Sequence, residues 1–422
     1  MRILLFFAFL YIIITGYSQD TLRLMQYNLL MYGNDFGGCN QSNNNVAEKN
    51  EYLKTIVNWV KPDILAVNEI YRTSYYHDLL LDNVFNVNGV NYYERAYPPN
   101  LSNGFTINNV FFDSRKLELV GNSVAAIGVR DIDVFKFRYI EGAYADSNLI
   151  LNCAVAHLKA GDNQDDRDQR ANATSQLMQY ISNSEDGNYT FSGDFNLYYS
   201  SETAFQNLLF YPNENARFYD PVNRIGYWNN NINYADVHTQ STHTGGNCFS
   251  GGGLDDRFDF ILVSEEIING SNDIKYVEGS YKAVGQDGQH FNTSITSSPT
   301  NASVPSSVLN ALYNMSDHLP VSIDFAIGDH VGINDLKNTS VHLFFKNPVS
   351  GNFLLHYSVK GSGSYVFQLR DLSGKLLTEQ TEYLVNSGEL QIPANHLSNG
   401  MYILSVKSEG QIPVVRKVVV GR

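Results

Sequence analysis

Six short segments between residues 28 and 318 each carry, at the edge of an apolar run, a side chain able to hold a hard cation, aim a water or contact a phosphate. They are Asn28 in Met25-Gln26-Tyr27-Asn28, Glu69 in Ile64-Leu65-Ala66-Val67-Asn68-Glu69, and His157 in Ala154-Val155-Ala156-His157-Leu158-Lys159-Ala160-Gly161. The others are Ser192-Gly193-Asp194-Phe195-Asn196, Asp259 in Arg257-Phe258-Asp259-Phe260-Ile261, and Ser316-Asp317-His318-Leu319-Pro320-Val321. A strand-end carboxylate such as Glu69 suits Mg2+, which accepts few carboxylates and keeps positions for water and phosphate. In the tight Gly-Asp-Phe-Asn turn, Asp194 can orient or deprotonate a water, and the Asn196 amide can donate to a phosphate without adding negative charge. Asp317 and His318 offer an acid and an imidazole on adjacent residues of a strand start, pointing to opposite sides. Together these groups supply what phosphoester hydrolysis requires: neutralised non-bridging oxygens, an in-line water and help for the leaving oxygen.

The surrounding pattern must bring them together. Leu22–Tyr27, Ile64–Val67, Val134–Tyr139, Leu149–Ala156, Tyr189–Phe191, Phe260–Val263 and Val321–Phe325 read as strands. Val110–Phe112 and Leu117–Val120 read as a hairpin. Val46, Leu53, Ile56, Val57 and Val60 recur at helical spacing before Pro62, and Ala171, Thr174, Leu177, Met178 and Ile181 share a helical face. Helices between strands with antiparallel hairpins mixed in predict a layered α/β fold. Asn28, Glu69, His157 and Asp194 fall at C-terminal strand ends, whereas Asp259 and Asp317-His318 fall at strand starts. They meet at one edge only if the sheets contain both strand directions.

In this order and spacing the six segments resemble the endonuclease/exonuclease/phosphatase superfamily of magnesium-dependent phosphoester hydrolases, over roughly residues 20–328. The resemblance implies two mixed β-sheets packed face to face with outer helices, a four-layer sandwich. It implies Glu69 as the principal ligand of Mg2+ (Mn2+ or Ca2+ as substitutes), Asp317 near the metal, and Asn28 beside them. His318 then meets the phosphate with Asp259 hydrogen-bonded behind it. Gln commonly precedes the Glu in this family; Asn68 stands there instead. His157 followed by Leu-Lys-Ala looks like the deoxyribonuclease I-like subgroup, although Thr106–Asn109 lacks the acid that supports such a histidine, which favours a neutral donor. The implied activity is an endonuclease on DNA or RNA, with a secreted phospholipid or phosphoinositide phosphodiesterase as the alternative. A non-catalytic binding protein is disfavoured because every expected catalytic position is filled. Arg170, with Arg167, opens the helix after His157 and either meets substrate or forms an ion pair. Tyr198 and Tyr199 either stack on a sugar or base, or pack.

The remaining features concern location and charge. Arg2, the apolar run Ile3–Ile14 and Gly16-Tyr17-Ser18 read as an export signal over residues 1–18, too short to span a bilayer. No later run is apolar and long enough to do so, so a soluble, exported chain is expected; it is also expected to be a monomer. Cys39 and Cys248 sit in Gly/Asn-rich loops and either pair or stay free, while Cys153 reads as a buried thiol. A net charge of −14 argues against holding duplex DNA by electrostatics alone. Affinity for a nucleic-acid substrate must then come from bound cations and local Arg or Lys. After a linker at 329–335, residues 336–422 alternate in short strands with turn signals, as in a small β-sandwich. The segments Asn347-Pro348-Val349, Leu372-Ser373-Gly374-Lys375-Leu376, Leu397-Ser398-Asn399-Gly400-Met401-Tyr402 and Arg416–Val420 resemble the C-terminal sorting domain of type IX secretion. That resemblance implies the secretion machinery as a partner and a secreted or cell-surface location.

Overall fold

Alternation along the strands decides the layering. In β1 (Thr21–Tyr32), Leu22 and Leu24 join one apolar cluster, whereas Met25, Tyr27 and Leu29 join another. The two faces of one strand therefore bury into two different cores, as period-two side chains must when both faces are covered. The computed structural model describes residues 20–185, 187–246, 248–328, 341–345, 348–408 and 413–421. The expected export signal and the 329–335 linker fall outside them. The chain divides into two compact units between residues 330 and 331.

In the first unit the chain continues through β2 (Ile64–Tyr71), β3 (Tyr93–Arg95), β4 (Thr106–Asp113), β5 (Leu117–Ala126), β6 (Ile132–Tyr139) and β7 (Ile150–His157). There follow β8 (Asn188–Asp194), β9 (Phe218–Tyr219), β10 (Asp259–Ser264), β11 (Ile274–Tyr276), β12 (Lys282–Ala283) and β13 (Val321–Ile327). One sheet has the order β11-β13-β1-β2-β4-β3 with β12 on β13, and the other has β5-β6-β7-β8-β10-β9. Both are mixed: β1 runs parallel to β2 and antiparallel to β13, and β7 runs parallel to β8, which is antiparallel to β10. Leu24, Ala66, Val110 and Ile323 of the first sheet share one core with Phe135, Cys153, Val155 and Ile261 of the second. The helices α1 (Val46–Val60), α2 (Ser74–Leu80), α3 (Gln164–Ser182), α4 (Thr203–Leu209), α5 (Glu265–Asn269) and α6 (Ser306–Met315) connect the strands. Leu53 and Ile56 of α1 and Leu312 of α6 cover the outside of the first sheet, and Leu177 of α3 and Leu208 of α4 that of the second. The result is the expected four-layer arrangement.

One expectation fails. Val110–Phe112 and Leu117–Val120 are not a hairpin: β4 pairs with β2 and β3, whereas β5 pairs with β6 in the opposite sheet. Val110, Phe112 and Leu117 all enter the inter-sheet core, so crossing between sheets buries them more fully than pairing with each other.

The second unit contains β14 (Val341–Phe344), β15 (Phe353–Asp371), β16 (Leu376–Ile392), β17 (Gly400–Ser408) and β18 (Val414–Val420). Where short strands are expected, β15 runs on as one long strand, whose pairing with β16 shifts register between Ser358 and Ser362. Its first half carries β14 and its second half β17, so the two halves present Leu355 and Phe367 to a shared core. Asp371 Oδ1 closes the β15–β16 turn by accepting from the Ser373 and Lys375 backbones at 2.9 and 3.1 Å.

Register fixes one residue absolutely. Gly193 has φ +145°, and a Cβ there would lie 1.8 Å from the Ala156 carbonyl oxygen of the neighbouring strand. Gly193→Ala is expected to destabilise the protein by about 3 kcal/mol or more, read as a lowered urea midpoint at unchanged slope. A midpoint within error of wild type would refute the close approach.

Candidate active site

Paired strand ends set the frame. His157 is register partner to Asp194, and Asp194 to Asp259, across β7, β8 and β10. Asn28 faces Asn68 across β1 and β2. Both of those strands then bulge: Leu30, Met31 and Glu69 adopt φ of +45°, +50° and +57°, and the registers slip there. The bulges turn Asn28 and Glu69 toward the second sheet. They are stabilised by Leu30 N–H donating to Asn28 Oδ1 and Met31 N–H to Glu69 Oε2, each at 2.9 Å.

At the resulting edge, Glu69, His157 and Asp194 offer ligand atoms all within 4.8 Å of one another. Asn28 Nδ2 joins them, donating to Asp194 Oδ2 at 3.0 Å and Glu69 Oε1 at 3.2 Å. His157 lies 3.6 Å from Glu69 through Nδ1 and 3.5 Å from Asp194 through Nε2. Burial, then the charges of Arg130 and His318, hold its pKa well below the ordinary range. It is therefore neutral, these contacts are not ion pairs, and its Nδ1 has no hydrogen-bond partner. Asn196 donates from Nδ2 to Asp194 Oδ1 at 2.8 Å.

His318 has the opposite electrostatics. Its Nδ1 lies 2.7 Å from Asp259 Oδ2, and Nε2 3.7 Å from Asp194 and 3.9 Å from Asp317. Burial opposes its charge, but Asp259 and then Asp194 outweigh it and hold the imidazole well above its usual pKa. Asp317 and His318 lie in the segment between α6 and β13, upstream of the strand and not on it. Asp317 stands outside the three-residue cluster. Its Oδ2 accepts the Ser250 N–H at 2.8 Å, and its Oδ1 is buried without a partner.

Arg170 requires correction as a substrate-binding residue. It is fully buried; Nε and Nη2 donate to Glu202 at 3.0 and 2.6 Å, and Nη1 donates to the Lys159 and Gly161 carbonyls at 2.8 and 2.6 Å. Freeing it to meet a phosphate would strand a buried Glu202, at a cost of about 3–5 kcal/mol. Arg170 instead holds the loop after His157 to α3. Arg167 pairs with Asp162 at 2.7 Å. Tyr198 packs edge-on against Phe258 and Tyr199 stacks on Tyr227, and both are half-buried. Cys39 and Cys248 form a disulfide, and Cys153 is a free buried thiol.

Several contributors had no role assigned from the sequence. Asn68 is an inter-sheet clip: Nδ2 donates to Asn108 Oδ1 at 2.8 Å and the Ala156 carbonyl at 3.0 Å, while Oδ1 accepts the Asp194 N–H at 3.1 Å. Lys49 Nζ donates to the Leu29 and Leu30 carbonyls at 2.7 and 2.8 Å, clamping the β1 bulge. Burial lowers its pKa to about 7 against the pull of Asp317 and Glu69. Its signal was positional, because Lys49 shares the helical face of Leu53 and Ile56. Gln240, whose amide lies 2.6 Å from His318 Nε2, carried no sequence signal. A cleft of about 230 Å³, lined by Val129, Arg130, Lys159 and Gln169, opens onto His157. A larger cleft of about 860 Å³ lies at the other end of β7 and β8, around Ile150 and Asn188, and holds none of these groups.

Known proteins resemble the two units differently. Residues 344–421 match the family of secretion system C-terminal sorting domains. Curated proteins yield no match. Among solved structures, humanized D. rerio TDP2 is similar at 12% identity, covering 72% of this chain and 98% of that one with a TM-score of 0.46. An endonuclease/exonuclease/phosphatase protein from Beutenbergia cavernae gives 11%, 96%, 100% and 0.46. A mannosyl-6-phosphatase from Bacteroides thetaiotaomicron gives 13%, 72%, 100% and 0.43. Among the described residues no helix is long and apolar enough to cross a membrane.

The crowded acids make a pH prediction. Burial first, then Asp259 and Glu69, raise Asp194 from the ordinary 3.8 to about 7, against His318 and the Asn28 hydrogen bond. Across that interval the folded state keeps a proton that the unfolded state releases, so this group's contribution to stability falls as pH rises. In chelator, Asp194→Asn should gain on wild type progressively across the interval, by urea midpoints at stepped pH. Added Mg2+ should narrow the difference. A difference flat with pH would refute the raised Asp194.

Proposed function

We propose that this chain is an exported, divalent-metal-dependent phosphodiesterase, with a DNA or RNA strand as the first substrate to test. The observation that supports the reading is the convergence of Glu69, His157 and Asp194, with Asn28 hydrogen-bonded between the two carboxylates. The donor set fits a cation: two carboxylates that repel each other, and a neutral imidazole whose buried Nδ1 is unpartnered. Glu69 and His157 would hold the ion, with Asp194 beside it and free to act on a water. Oxygen donors suit Mg2+ or Ca2+, and the imidazole also admits Mn2+. Such an ion supplies charge neutralisation on non-bridging phosphate oxygens.

The chain's own residues do the remainder. Asp194, oriented by both Asn28 and Asn196, takes a proton from the attacking water. His318, kept cationic by Asp259, donates to a phosphate oxygen as negative charge develops. Asn28 and Asn196 hold the carboxylates at fixed angles, so little reorganisation accompanies the reaction. Asp317, tied to the Ser250 backbone, anchors the loop beside His318 and adds to its field.

A second reading, phospholipid phosphodiesterase, is favoured by the shortage of free cations at the site. Lys159 is paired with Asp166, Arg167 with Asp162 and Arg170 with Glu202, which leaves little to hold a polyanion. The match at 344–421 supports delivery by the type IX machinery.

Glu69→Gln and Asp194→Asn are each expected to lower turnover by about 10²- to 10⁴-fold, with EDTA abolishing wild-type activity. Excess Mg2+ should partly rescue the first and not the second; equal rescue would remove the distinction between ligand and base. Zymography on DNA, RNA and sphingomyelin decides the substrate, since faster sphingomyelin turnover sinks the nuclease reading and leaves the chemistry intact. Deleting residues 336–422 should leave specific activity near wild type and block surface delivery. A marked loss of substrate affinity on deletion would mean that this unit binds substrate.

A further inference from the structure

Two loops leave the catalytic edge with apolar tips. Residues 96–105 join β3 to β4, and residues 127–131 join β5 to β6. Asp131 ties them together, its carboxylate accepting the Leu101 and Ser102 N–H groups at 2.5 and 2.9 Å. The first loop ends beside Glu69, where Arg72 N–H donates to the Phe105 carbonyl at 3.0 Å. The second ends beside His157, because Ile132 is register partner to Ala156. Tyr97, Leu101, Phe105, Ile127 and Val129 are 70, 58, 68, 51 and 50% exposed, although all are large and apolar.

Charge sets this surface apart. In a chain that has 43 acids, residues 96–105 contain none, and the one acid of 127–131, Asp131, is buried and accepts from the Leu101 and Ser102 backbones. Two arginines flank the tips. Arg72 is exposed, with its guanidinium 5.3 Å from the Phe105 ring centroid, and its hydrogen-bond partner is the neutral Asn103. Arg130 makes no hydrogen bond or ion pair among the described residues, and with Val129 it lines the cleft that opens onto His157.

We propose that these two loops dock on a phospholipid bilayer carrying anionic headgroups and present a headgroup phosphodiester to the His157 edge. The last clause rests on the phosphodiesterase reading; the docking does not. Mixed aromatic and aliphatic tips flanked by arginine match the chemistry of the bilayer interface. Leu101, Ile127 and Val129 offer no π-face to a base, so a nucleic-acid strand would leave them unused. With a net charge of −14 on the whole chain, an anionic membrane is approached most favourably through loops whose one acid is buried and whose flanks carry Arg72 and Arg130, which orients the approach.

The test uses the full mature chain and vesicles of phosphatidylcholine mixed with phosphatidylglycerol. Wild type is expected to co-sediment with them, and Leu101→Ser/Phe105→Ser and Tyr97→Ser/Ile127→Ser each to weaken the partition by about tenfold or more. Hydrolysis of soluble bis(p-nitrophenyl) phosphate and the unfolding midpoint should stay at wild-type values. Phe105→Trp should retain binding and give a blue-shifted emission on vesicle addition, a gain of signal that a misfolded variant would not produce. Docking is overturned if wild type stays in the supernatant, if both double variants bind as wild type, or if they lose DNA cleavage or self-association instead. Vesicle binding without any ester hydrolysis would refute the phosphodiesterase reading and leave docking standing; ester hydrolysis without vesicle binding would do the reverse.

Discussion

Four carboxylates, Glu69, Asp194, Asp259 and Asp317, are held close together at the buried edge where two sheets meet. In a poorly solvated setting like charges repel strongly, and burial disfavours the charge of Asp194. The structure offsets this by placing His318 among Asp259, Asp194 and Asp317, and by turning the amides of Asn28 and Asn196 onto the acids. The offset is incomplete. Asp194 remains raised to about 7, and one oxygen each of Asp259 and Asp317 has no partner. A site with this surplus of negative potential is poised for a cation, and the surrounding architecture serves to keep the acids from moving apart.

That architecture works through backbone devices more than through the acids themselves. The bulges at Leu30–Met31 and Glu69 re-aim two strands, and Lys49 clamps one of them from beneath. Gly193 permits β8 to approach β7 closely enough that His157 and Asp194 become register partners. Asn68 ties the first sheet to both of those strands. Each device is buried and hydrogen-bonded, so disturbing it costs more than the contact it makes. The disulfide between Cys39 and Cys248 joins the loop after β1 to the loop that holds Asp317.

The distribution of charge over the first unit bears on its substrate. The cations that follow His157 in sequence are spent on internal pairs, and among the described residues Arg130 lines the cleft without an ion pair, beside exposed apolar loop tips.

By itself the sequence determined the two-unit order, the α/β class and the identity of the chemical groups. Period-two and period-3.6 patterns state which faces are apolar, and the opposed strand ends of the six segments already required mixed sheets. Tertiary structure decided what those patterns leave open. A short apolar run does not say which sheet it joins, so Val110–Phe112 and Leu117–Val120 looked like neighbours and parted into opposite layers. An arginine in a charged helical turn reads the same whether it faces solvent or a buried glutamate, and Glu202, thirty-two residues further on, claimed Arg170. The roles of Lys49, Asn68 and Gln240 depend on carbonyls, amides and an imidazole brought from distant segments. No local spacing encodes such partners, because sheet packing alone brings them within hydrogen-bond reach.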